Sequence, residues 1–165
     1  MAEALSGIRV LELASVLAGP LASTALAVRG ATVTKVERPP GGDVTRTWKS
    51  LSEPRAHPAS AYYASANANK SVAWQDLGTP EGRQWLDQQL AIHDVVIQNF
   101  KAADLAKFEL DPAAVALRHP ELVHVRLVGF PEAAERLAYD VVVQAETGFM
   151  SMNGEPGGLP LRMPV

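Results

Sequence analysis

Cysteine is absent from this chain of 165 residues, and its absence excludes several kinds of chemistry. A disulfide scaffold, a thiol nucleophile and a cysteine-bound zinc or iron–sulfur centre all need the missing residue. No two of the four histidines have the spacing of a helical metal-ligand pair. The G-x-S-x-G motif of many serine hydrolases is missing as well. We therefore predict no metal site and neither thiol nor serine-hydrolase chemistry.

The chain also lacks an excess of positive charge and any long apolar run. Lys and Arg number 15 against 18 Asp and Glu, which gives a net charge of −3. Nucleic-acid binding needs cationic groups that displace counterions from phosphates, so we expect no nucleic-acid partner. No apolar run approaches the roughly 18 residues of a membrane span, and the first ten residues lack a signal-peptide pattern. The expectation is a cytoplasmic protein without a membrane partner.

What is present is the size and patterning of one α/β domain. A buried strand is predicted over IRVLEL (8–13), a helix over 19–30 and a second strand over 31–37. A strand, a helix and a strand within about 30 residues form a βαβ unit with parallel strands. The first helix has Pro20 near its start and Gly30 at its end, which are the positions these residues favour.

The rest of the chain continues the alternation of strands and helices. The predicted segments are a short helix and turn over 60–70, a strand over 71–74, a helix over 79–93, a strand over 94–100, short helices around 101–108 and 111–119, a strand over 121–130 and a helix over 138–148. Near-continuous apolar strands are typical of sheets covered on both faces. The sequence predicts an open, mostly parallel, Rossmann-like α/β sheet with helices on both faces.

In such a sheet, ligands bind at the carboxyl ends of the strands. Four segments lie at the carboxyl ends of predicted strands and should meet at that edge: 14–20, 38–46, 99–101 and 129–131. The first of them contains one glycine, Gly19, where a dinucleotide fingerprint has three. Glu37 occupies the place of a ribose-binding acid, but without the glycines the pattern argues against dinucleotide binding.

The segment KVERPPGGDVTR (35–46) places unusual charge at this edge. Arg38 and Arg46 flank two prolines and two glycines, with Asp43 between them. Two interpretations stay open: a surface cluster of ion pairs, or a rigid turn that binds an anionic ligand.

Two further segments add amides and cations beside strand ends. These are NANK (67–70) and QNFKAADLAK (98–107), and the second includes the aromatic ring of Phe100. Each segment alone is weak, because amide-rich turns are common. Together they suit a ligand that carries phosphates and an aromatic base.

Taken in order, these segments resemble the N-terminal part of a family III CoA-transferase, the group that includes formyl-CoA and carnitine CoA-transferases. The matching segments are GIRVLELASVLAGP, GATVTKVERPPGGDVTR, NANKSVAWQDLGTPEG, DVVIQNF, ELVHVRLVGF and YDVVVQAETGFMSMNGEPGGLP. They extend over nearly the whole chain in the order that the family has.

The resemblance implies a binding site for coenzyme A at the sheet edge. The adenosine and phosphates would lie near six residues: Arg38, Asn69, Lys70, Asn99, Phe100 and Lys107. The thioester end would approach the turn formed by Val16, Leu17 and Ala18. Asp140 is a further candidate, either as an acid in the first turn of its helix or as a group that reaches the pocket.

The resemblance also implies a reaction. An aspartate carboxylate attacks an acyl-CoA thioester, forms an aspartyl anhydride and lets CoA pass to an acceptor carboxylic acid. CoA is then a substrate, and no separate cofactor is needed. Tyr139 precedes Asp140 where the related α-methylacyl-CoA racemases have a histidine, which favours the transferase, since tyrosine is a poor proton shuttle near neutral pH.

The resemblance further predicts how much of the family's architecture these residues contain. Residues 1–165 match the N-terminal part of the CoA-binding large domain, without the small domain and the C-terminal return segment. The nucleophilic aspartate is expected beyond Val165, so this chain alone is expected to be inactive. Members of the family form interlocked homodimers. The alternatives are a catalytically dead CoA-binding fragment and a racemase-like enzyme.

Overall fold

A five-stranded parallel sheet organises the computed structural model, which describes residues 3–133, 136 and 138–163. The strands are β1 (Arg9–Glu12), β2 (Thr32–Glu37), β3 (Lys70–Trp74), β4 (Val95–Gln98) and β5 (Val123–Arg126). Their order across the sheet is β3-β2-β1-β4-β5, and every neighbouring pair is parallel. Strands β2 and β3 thus lie on one side of β1, and β4 and β5 lie on the other.

Six α-helices and three short 3₁₀ helices complete the secondary structure of the described residues. The α-helices are α1 (Ala18–Ala27), α2 (Ala61–Ala66), α3 (Pro80–Ile92), α4 (Ala102–Lys107), α5 (Pro112–Arg118) and α6 (Asp140–Glu146). The 3₁₀ helices are Val44–Thr47, Pro131–Ala133 and Phe149–Met152. None of the described helices combines the length and apolar character needed to cross a bilayer. The chain divides into two compact units after Leu127, and the sheet lies in the first.

Apolar side chains cover both faces of the sheet. On one face, Val10, Val33 and Ile97 are buried in a cluster that includes Ala27 of α1. On the other face, a second cluster joins the strands to α3, α4 and α5 through Leu11, Leu13, Leu77, Leu86, Leu90, Val96, Leu105, Leu110 and Val115. Successive strand residues point to opposite faces, which is why Val10 and Leu11 belong to different clusters. The predicted α/β class is confirmed.

The largest difference from the predicted elements is at the last strand. The sequence predicts a strand over 121–130, but β5 contains only Val123–Arg126. Its neighbour β4 ends at Gln98, which is paired with Arg126, so β5 has no ladder partner further along. Strand length here is set by the neighbour and not by the local apolar pattern.

The helix starts differ in one respect that matters for the site. Ser60, Thr79 and Asp111 each accept a hydrogen bond from a backbone N–H in the first turn of α2, α3 and α5. Helix α1 begins after Leu17, whose side chain caps nothing. The N-terminus of α1 therefore presents backbone N–H groups and the positive end of the helix dipole without a side-chain cap.

Gly82 provides a test of the packing between α3 and the loop after β3. A Cβ at Gly82 would overlap the backbone carbonyl of Asp76, whereas a Cβ at Gly41 would meet nothing within 4 Å. We predict that Gly82→Ala lowers the free energy of unfolding by about 2 kcal/mol, because the overlap outweighs the better helix propensity of alanine. Gly41→Ala should change it by less than about 0.5 kcal/mol. Urea unfolding followed by circular dichroism measures both, and equal values for the two variants would contradict the packing described.

Candidate functional site

A cavity of about 210 Å³ opens at the carboxyl edge of the sheet. Its walls come from the ends of β1, β2 and β3, from the loop after β2, and from α4 with the residues beside it. Its charged and aromatic lining residues are Arg38, Asp76, Phe100, Lys107 and Phe108, together with the buried Lys35, Glu37 and Asp43. The cavity lies at the edge that the sequence predicts for ligand binding.

Two exposed cations and one partly exposed carboxylate stand together in this cavity. The Nε of Arg38 donates to Asp76 Oδ2 at 3.1 Å, and the Arg38 side chain is 75% exposed. The backbone N–H of Gly78 donates to the other oxygen of Asp76 at 2.9 Å. That hydrogen bond, assisted by Arg38 and Lys107, keeps the pKa of Asp76 below its ordinary value. Two cations therefore face one carboxylate, which leaves the exposed charge positive.

An aromatic pair forms another wall of the same cavity. The rings of Phe100 and Phe108 are tilted by 58° with centroids 5.0 Å apart. The Lys107 ammonium lies 5.4 Å from the centre of the Phe108 ring. Gln98 fixes the start of this segment, because its side-chain Oε1 accepts the backbone N–H of Phe100 at 2.7 Å. Rings beside cations can hold a flat aromatic group that carries phosphate.

Beside the cavity, the turn between β1 and α1 has an unusual backbone. Val16 has φ of 72°, in the left-handed region that a β-branched residue rarely adopts. Its N–H donates to Asp43 Oδ2 at 3.2 Å. Asn99 holds the preceding residue twice: its Oδ1 accepts from Ser15 N at 3.1 Å, and its Nδ2 donates to Ser15 O at 2.9 Å. The turn is therefore shaped by side chains from two other segments.

A buried group of charges supports this turn from below. The Lys35 ammonium lies 2.7 Å from Glu12 Oε1 and 3.0 Å from Asp43 Oδ2, and all three side chains are at most 1% exposed. The Lys70 ammonium lies 2.7 Å from the other oxygen of Glu12. Burial lowers the pKa of Lys70, and Glu12 offsets part of that effect. Burial tends to raise the pKa of Asp43, but Lys35 and the Thr45 hydrogen bonds bring it below its ordinary value.

A second buried group continues from Asp43 toward α2. Glu37 receives two bonds from the Arg46 guanidinium, at 2.6 and 2.9 Å, and one from the Tyr63 hydroxyl at 2.5 Å. It also accepts the backbone N–H of Asp43 at 2.9 Å. Burial favours a higher pKa for Glu37, but Arg46 and Tyr63 outweigh it, so the net shift is downward. Burial and the Glu37 charge raise the pKa of Tyr63.

These contacts bear on both interpretations of the segment 35–46, and the exposed pair of Arg38 with Asp76 matches the first of them. Asp43 and Arg46 form ion pairs, but within a buried network and not on the surface. Arg38 does face the cavity. One arginine thus holds the loop to the fold, and the other is available to a ligand.

The structure brings together only part of the predicted CoA site. Arg38, Phe100 and Lys107 line one cavity. Asn99 lies beside it, but the described bonds of its side chain are both to Ser15. The turn that contains Val16, Leu17 and Ala18 begins α1 at the same edge of the sheet. The binding roles of all these residues stay predictions.

Asn69 and Lys70 lie elsewhere, at the amino end of β3. Strand β3 starts at Lys70, and its register pairs that residue with Val33 near the start of β2. Asn69 is exposed, with φ of 59°. The Lys70 side chain is 1% exposed, and its ammonium bonds to Pro20 O, Asn67 Oδ1 and Glu12. The sequence interpretation placed this segment beside a strand end without distinguishing which end it is.

Asp140 lies in the second compact unit, where it is the exposed first residue of α6. Its Oδ2 accepts a hydrogen bond from Gln144 Nε2 at 2.6 Å. This contact fits the interpretation of Asp140 as an acid in the first turn of its helix. Among the residues that the structure describes, no three His, Asp or Glu side chains are grouped for a metal ion.

Sequence reasoning missed Asp76 in the cavity and the pair of Glu12 and Lys35 beneath the turn. A signal for the pair was present, because each is a charge inside an otherwise apolar strand. Glu12 and Lys35 are direct neighbours in the register of β1 and β2, so their side chains share a face. Opposite charges in adjacent buried strands predict an internal ion pair.

Comparison with known proteins identifies the family. The model of CoA-transferase family III matches residues 5–165. The chain belongs to CoA-transferase family III. Among curated relatives of this family III chain, the succinate–glutarate CoA-transferase of Agrobacterium fabrum is 44% identical over 167 residues, covering 98% of this chain and 42% of that protein. The human succinyl-CoA:glutarate CoA-transferase is 34% identical, covering 96% of this chain and 36% of that protein.

Solved structures of similar proteins agree with this assignment. A CAIB/BAIF family protein from Brucella suis superposes with a TM-score of 0.90 at 37% identity, covering all of this chain and 44% of that one. Rv3272 from Mycobacterium tuberculosis superposes with a TM-score of 0.85 at 33% identity, covering 99% of this chain and 46% of that one. This family III chain thus spans less than half the length of the relatives it matches.

The buried network predicts acid sensitivity of the fold. A carboxylate whose pKa is depressed by folding stabilises the folded state above its unfolded pKa, near 4, and loses that contribution as the pH falls through the folded value. The pKa values of Glu37 and Asp43 are both depressed. The free energy of unfolding, measured with urea from pH 7 down to pH 3, should therefore decrease below about pH 4.

Glu37→Gln tests the strongest part of this network. It leaves the Arg46 guanidinium without its carboxylate, so we expect a loss of about 3 kcal/mol at pH 7 and a weaker dependence on acid. Asp87→Asn is the control, because Asp87 is 54% exposed in its pair with Arg118 and should contribute less than about 1 kcal/mol. Equal losses for the two variants would show that the Glu37 network does not stabilise the fold.

Proposed function

We propose that this chain forms the CoA-binding edge of an enzyme that moves CoA between an acyl-CoA thioester and a carboxylic acid. The observation that carries the proposal is the cavity at the carboxyl edge of the sheet, where Arg38 and Lys107 stand beside the Phe100 and Phe108 rings. Cations and aromatic rings in one cleft match the phosphates and the adenine of CoA. Membership of CoA-transferase family III supports the same conclusion.

The cavity holds the nucleotide end of CoA in this proposal. Its volume of about 210 Å³ is below the range of pockets that enclose a whole drug-sized ligand, so it accommodates one part of CoA. The adenine packs against the Phe100 ring, and the phosphates interact with Arg38 and Lys107. Asp76 can accept a hydrogen bond from a ribose hydroxyl or from the adenine amino group.

The turn between β1 and α1 receives the thioester end. A helix N-terminus without a side-chain cap offers N–H donors and a positive dipole to an oxygen that gains negative charge. The thioester carbonyl oxygen gains such charge when a carboxylate attacks it. We therefore assign the Val16–Ala18 turn to the acyl group and the cavity to the nucleotide.

The reaction proceeds through an aspartyl anhydride in this proposal, with the aspartate located outside residues 1–165. Its carboxylate attacks the acyl carbon, the carbon–sulfur bond breaks, and CoA leaves as a thiolate. The thiolate attacks the aspartyl carbonyl, which releases the first acid and leaves CoA as an enzyme thioester. The acceptor carboxylate then attacks the aspartyl carbonyl of this thioester, which releases the CoA thiolate and forms a second anhydride. The thiolate attacks the acyl carbon of the acceptor in that anhydride, which gives the new acyl-CoA and frees the aspartate.

Short dicarboxylic acids are the substrate class that the relatives favour. Relatives at 44% and 34% identity are named for CoA transfer involving succinate and glutarate, and one at 35% for transfer from succinyl-CoA to mesaconate. We propose succinyl-CoA as donor and a dicarboxylic acid as acceptor, with CoA as substrate and no separate cofactor.

The architecture of the family completes the proposal. The chain forms the N-terminal part of the CoA-binding large domain of a cytoplasmic homodimer. Large exposed apolar side chains, among them Leu51 at 96% and Leu117 at 86% exposure, are consistent with surfaces that other parts of an assembly cover. Tyr139, which is exposed at the start of α6, supports the transferase over a racemase, because a racemase needs a group that exchanges protons near neutral pH.

Titration of the 165-residue chain with CoA tests the cavity. Arg38→Ala and Lys107→Ala should each weaken the affinity by about fivefold, since each removes one cation from the phosphates at about 1 kcal/mol. Isothermal titration calorimetry at low and moderate salt measures this loss, which should shrink as salt screens the charges.

Arg9→Ala is the matched control for the titration. Arg9 forms a similar exposed ion pair with Asp94, at 3.2 Å, but at the amino edge of the sheet. It should leave CoA affinity within about twofold of the unmodified chain. Failure of the unmodified chain to bind CoA at millimolar concentration, or equal losses in all three variants, would refute the proposed site.

A further inference from the structure

The strained backbone at Val16 needs a group that holds it. A residue other than glycine in the left-handed region is disfavoured by about 1–3 kcal/mol, and a β-branched side chain makes the strain worse. Val16 has φ of 72°, and its N–H donates to Asp43 Oδ2 at 3.2 Å. The carboxylate of Asp43 therefore stabilises the strained conformation through a charge-assisted hydrogen bond.

Asp43 is itself immobilised by buried partners. Its Oδ1 accepts two bonds from Thr45, one from the backbone N–H at 3.0 Å and one from the hydroxyl at 2.7 Å. The Lys35 ammonium lies 3.0 Å from Oδ2, and the Asp43 side chain is 1% exposed. A carboxylate fixed in this way cannot follow Val16 if the turn relaxes, so it defines one position for the Val16 N–H.

The neighbouring residues of the turn are fixed by the same region. Lys35 donates to Ala14 O at 2.9 Å, and Asn99 bonds both backbone groups of Ser15. Gly19 packs so closely on Ala14 that a Cβ at position 19 would overlap the alanine methyl group. The turn and the first residues of α1 consequently form one preorganised unit whose shape depends on side chains outside it.

We propose that Asp43 is a positioning residue for the acyl end of the CoA thioester, acting through the backbone of Val16. It holds Val16 in the left-handed conformation and thereby sets the direction of the N-terminus of α1. This inference rests on the proposed function, because the acyl group is assigned there to the Val16–Ala18 turn. Asp43 lies at the inner wall of the cavity, but its side chain is 1% exposed and its oxygens already bond Val16, Thr45 and Lys35, so we assign it no direct contact with the substrate.

The test combines Asp43→Ala with Val16→Gly, singly and together. Glycine adopts positive φ without strain, so a chain with glycine at position 16 needs no carboxylate to hold the turn. Two ligands separate the two ends of CoA. Succinyl-CoA reaches both the cavity and the turn, whereas adenosine 3′,5′-bisphosphate reaches the cavity alone.

We expect Asp43→Ala to weaken succinyl-CoA binding by about tenfold and to leave bisphosphate binding within about twofold. In a chain that already carries Val16→Gly, adding Asp43→Ala should weaken succinyl-CoA binding by less than about threefold, because glycine makes the carboxylate dispensable; a double-mutant cycle quantifies this coupling. Amide hydrogen exchange should accelerate at Val16 in Asp43→Ala, a readout that needs no ligand.

Two further variants keep the outcome interpretable. Thr45→Val loosens Asp43 while retaining its carboxylate, so it should produce a smaller effect of the same kind if Asp43→Ala does not fold. Ser60→Ala is the control, because Ser60 is equally buried and bonds Thr45 O and Tyr63 N but does not contact the turn. It should lower stability without changing the ratio of the two affinities.

The possible failures are distinguishable. If the unmodified chain binds neither ligand, the proposed function falls, and this inference falls with it. If the chain binds both ligands but Asp43→Ala weakens them equally, or if glycine at position 16 restores nothing, Asp43 is only structural and the inference alone is overturned. Unchanged exchange at the Val16 amide in Asp43→Ala would overturn it as well.

Discussion

The contact on which the rest of the site depends is the buried Lys35 ammonium between Glu12 and Asp43. An isolated charge inside a protein is prohibitively unfavourable, so each of these groups requires the others to stay in place. Glu12 and Lys35 lie on adjacent strands, whereas Asp43 belongs to a loop. The ion pairs therefore fix Asp43 of the loop relative to the sheet. Through its hydrogen bond with the Val16 N–H, Asp43 also fixes the turn that begins α1.

Much of the fold follows from the sequence, because buried parallel strands and capped helices leave strong local patterns. The βαβ start, the long helix α3 and the carboxyl-edge position of Arg38 and Phe100 were all predicted and are observed. The site followed less completely. Local patterns locate a loop next to a strand, but they do not show which polar side chains bond to buried partners inside the fold. Lys70 illustrates this limit, since its ammonium forms a buried ion pair with Glu12 and does not face the cavity.

Arg38 and Arg46 show how position in the fold assigns different tasks to the same residue type. The Arg46 guanidinium lies 4.0 Å from the centre of the Tyr63 ring and donates to Glu37 through its Nε and Nη2, so its interactions are internal. Arg38 follows β2 directly and remains mostly in solvent beside Asp76. No property of the two side chains distinguishes them in the sequence. The difference arises from the Glu37 carboxylate, which points toward one of them.

Gly42 lets the segment between Arg38 and Asp43 pack closely against the residues around it. It has φ of 71°, and the Glu37 carboxylate, the Arg46 guanidinium and the Trp74 ring surround the place where a side chain would begin. Surface loops ordinarily tolerate insertions, because a few extra residues change the closure entropy only slightly. Here one added residue would displace Asp43, and Val16 would lose the carboxylate that accepts its N–H. The length of this loop is therefore constrained as tightly as the spacing of residues within a strand.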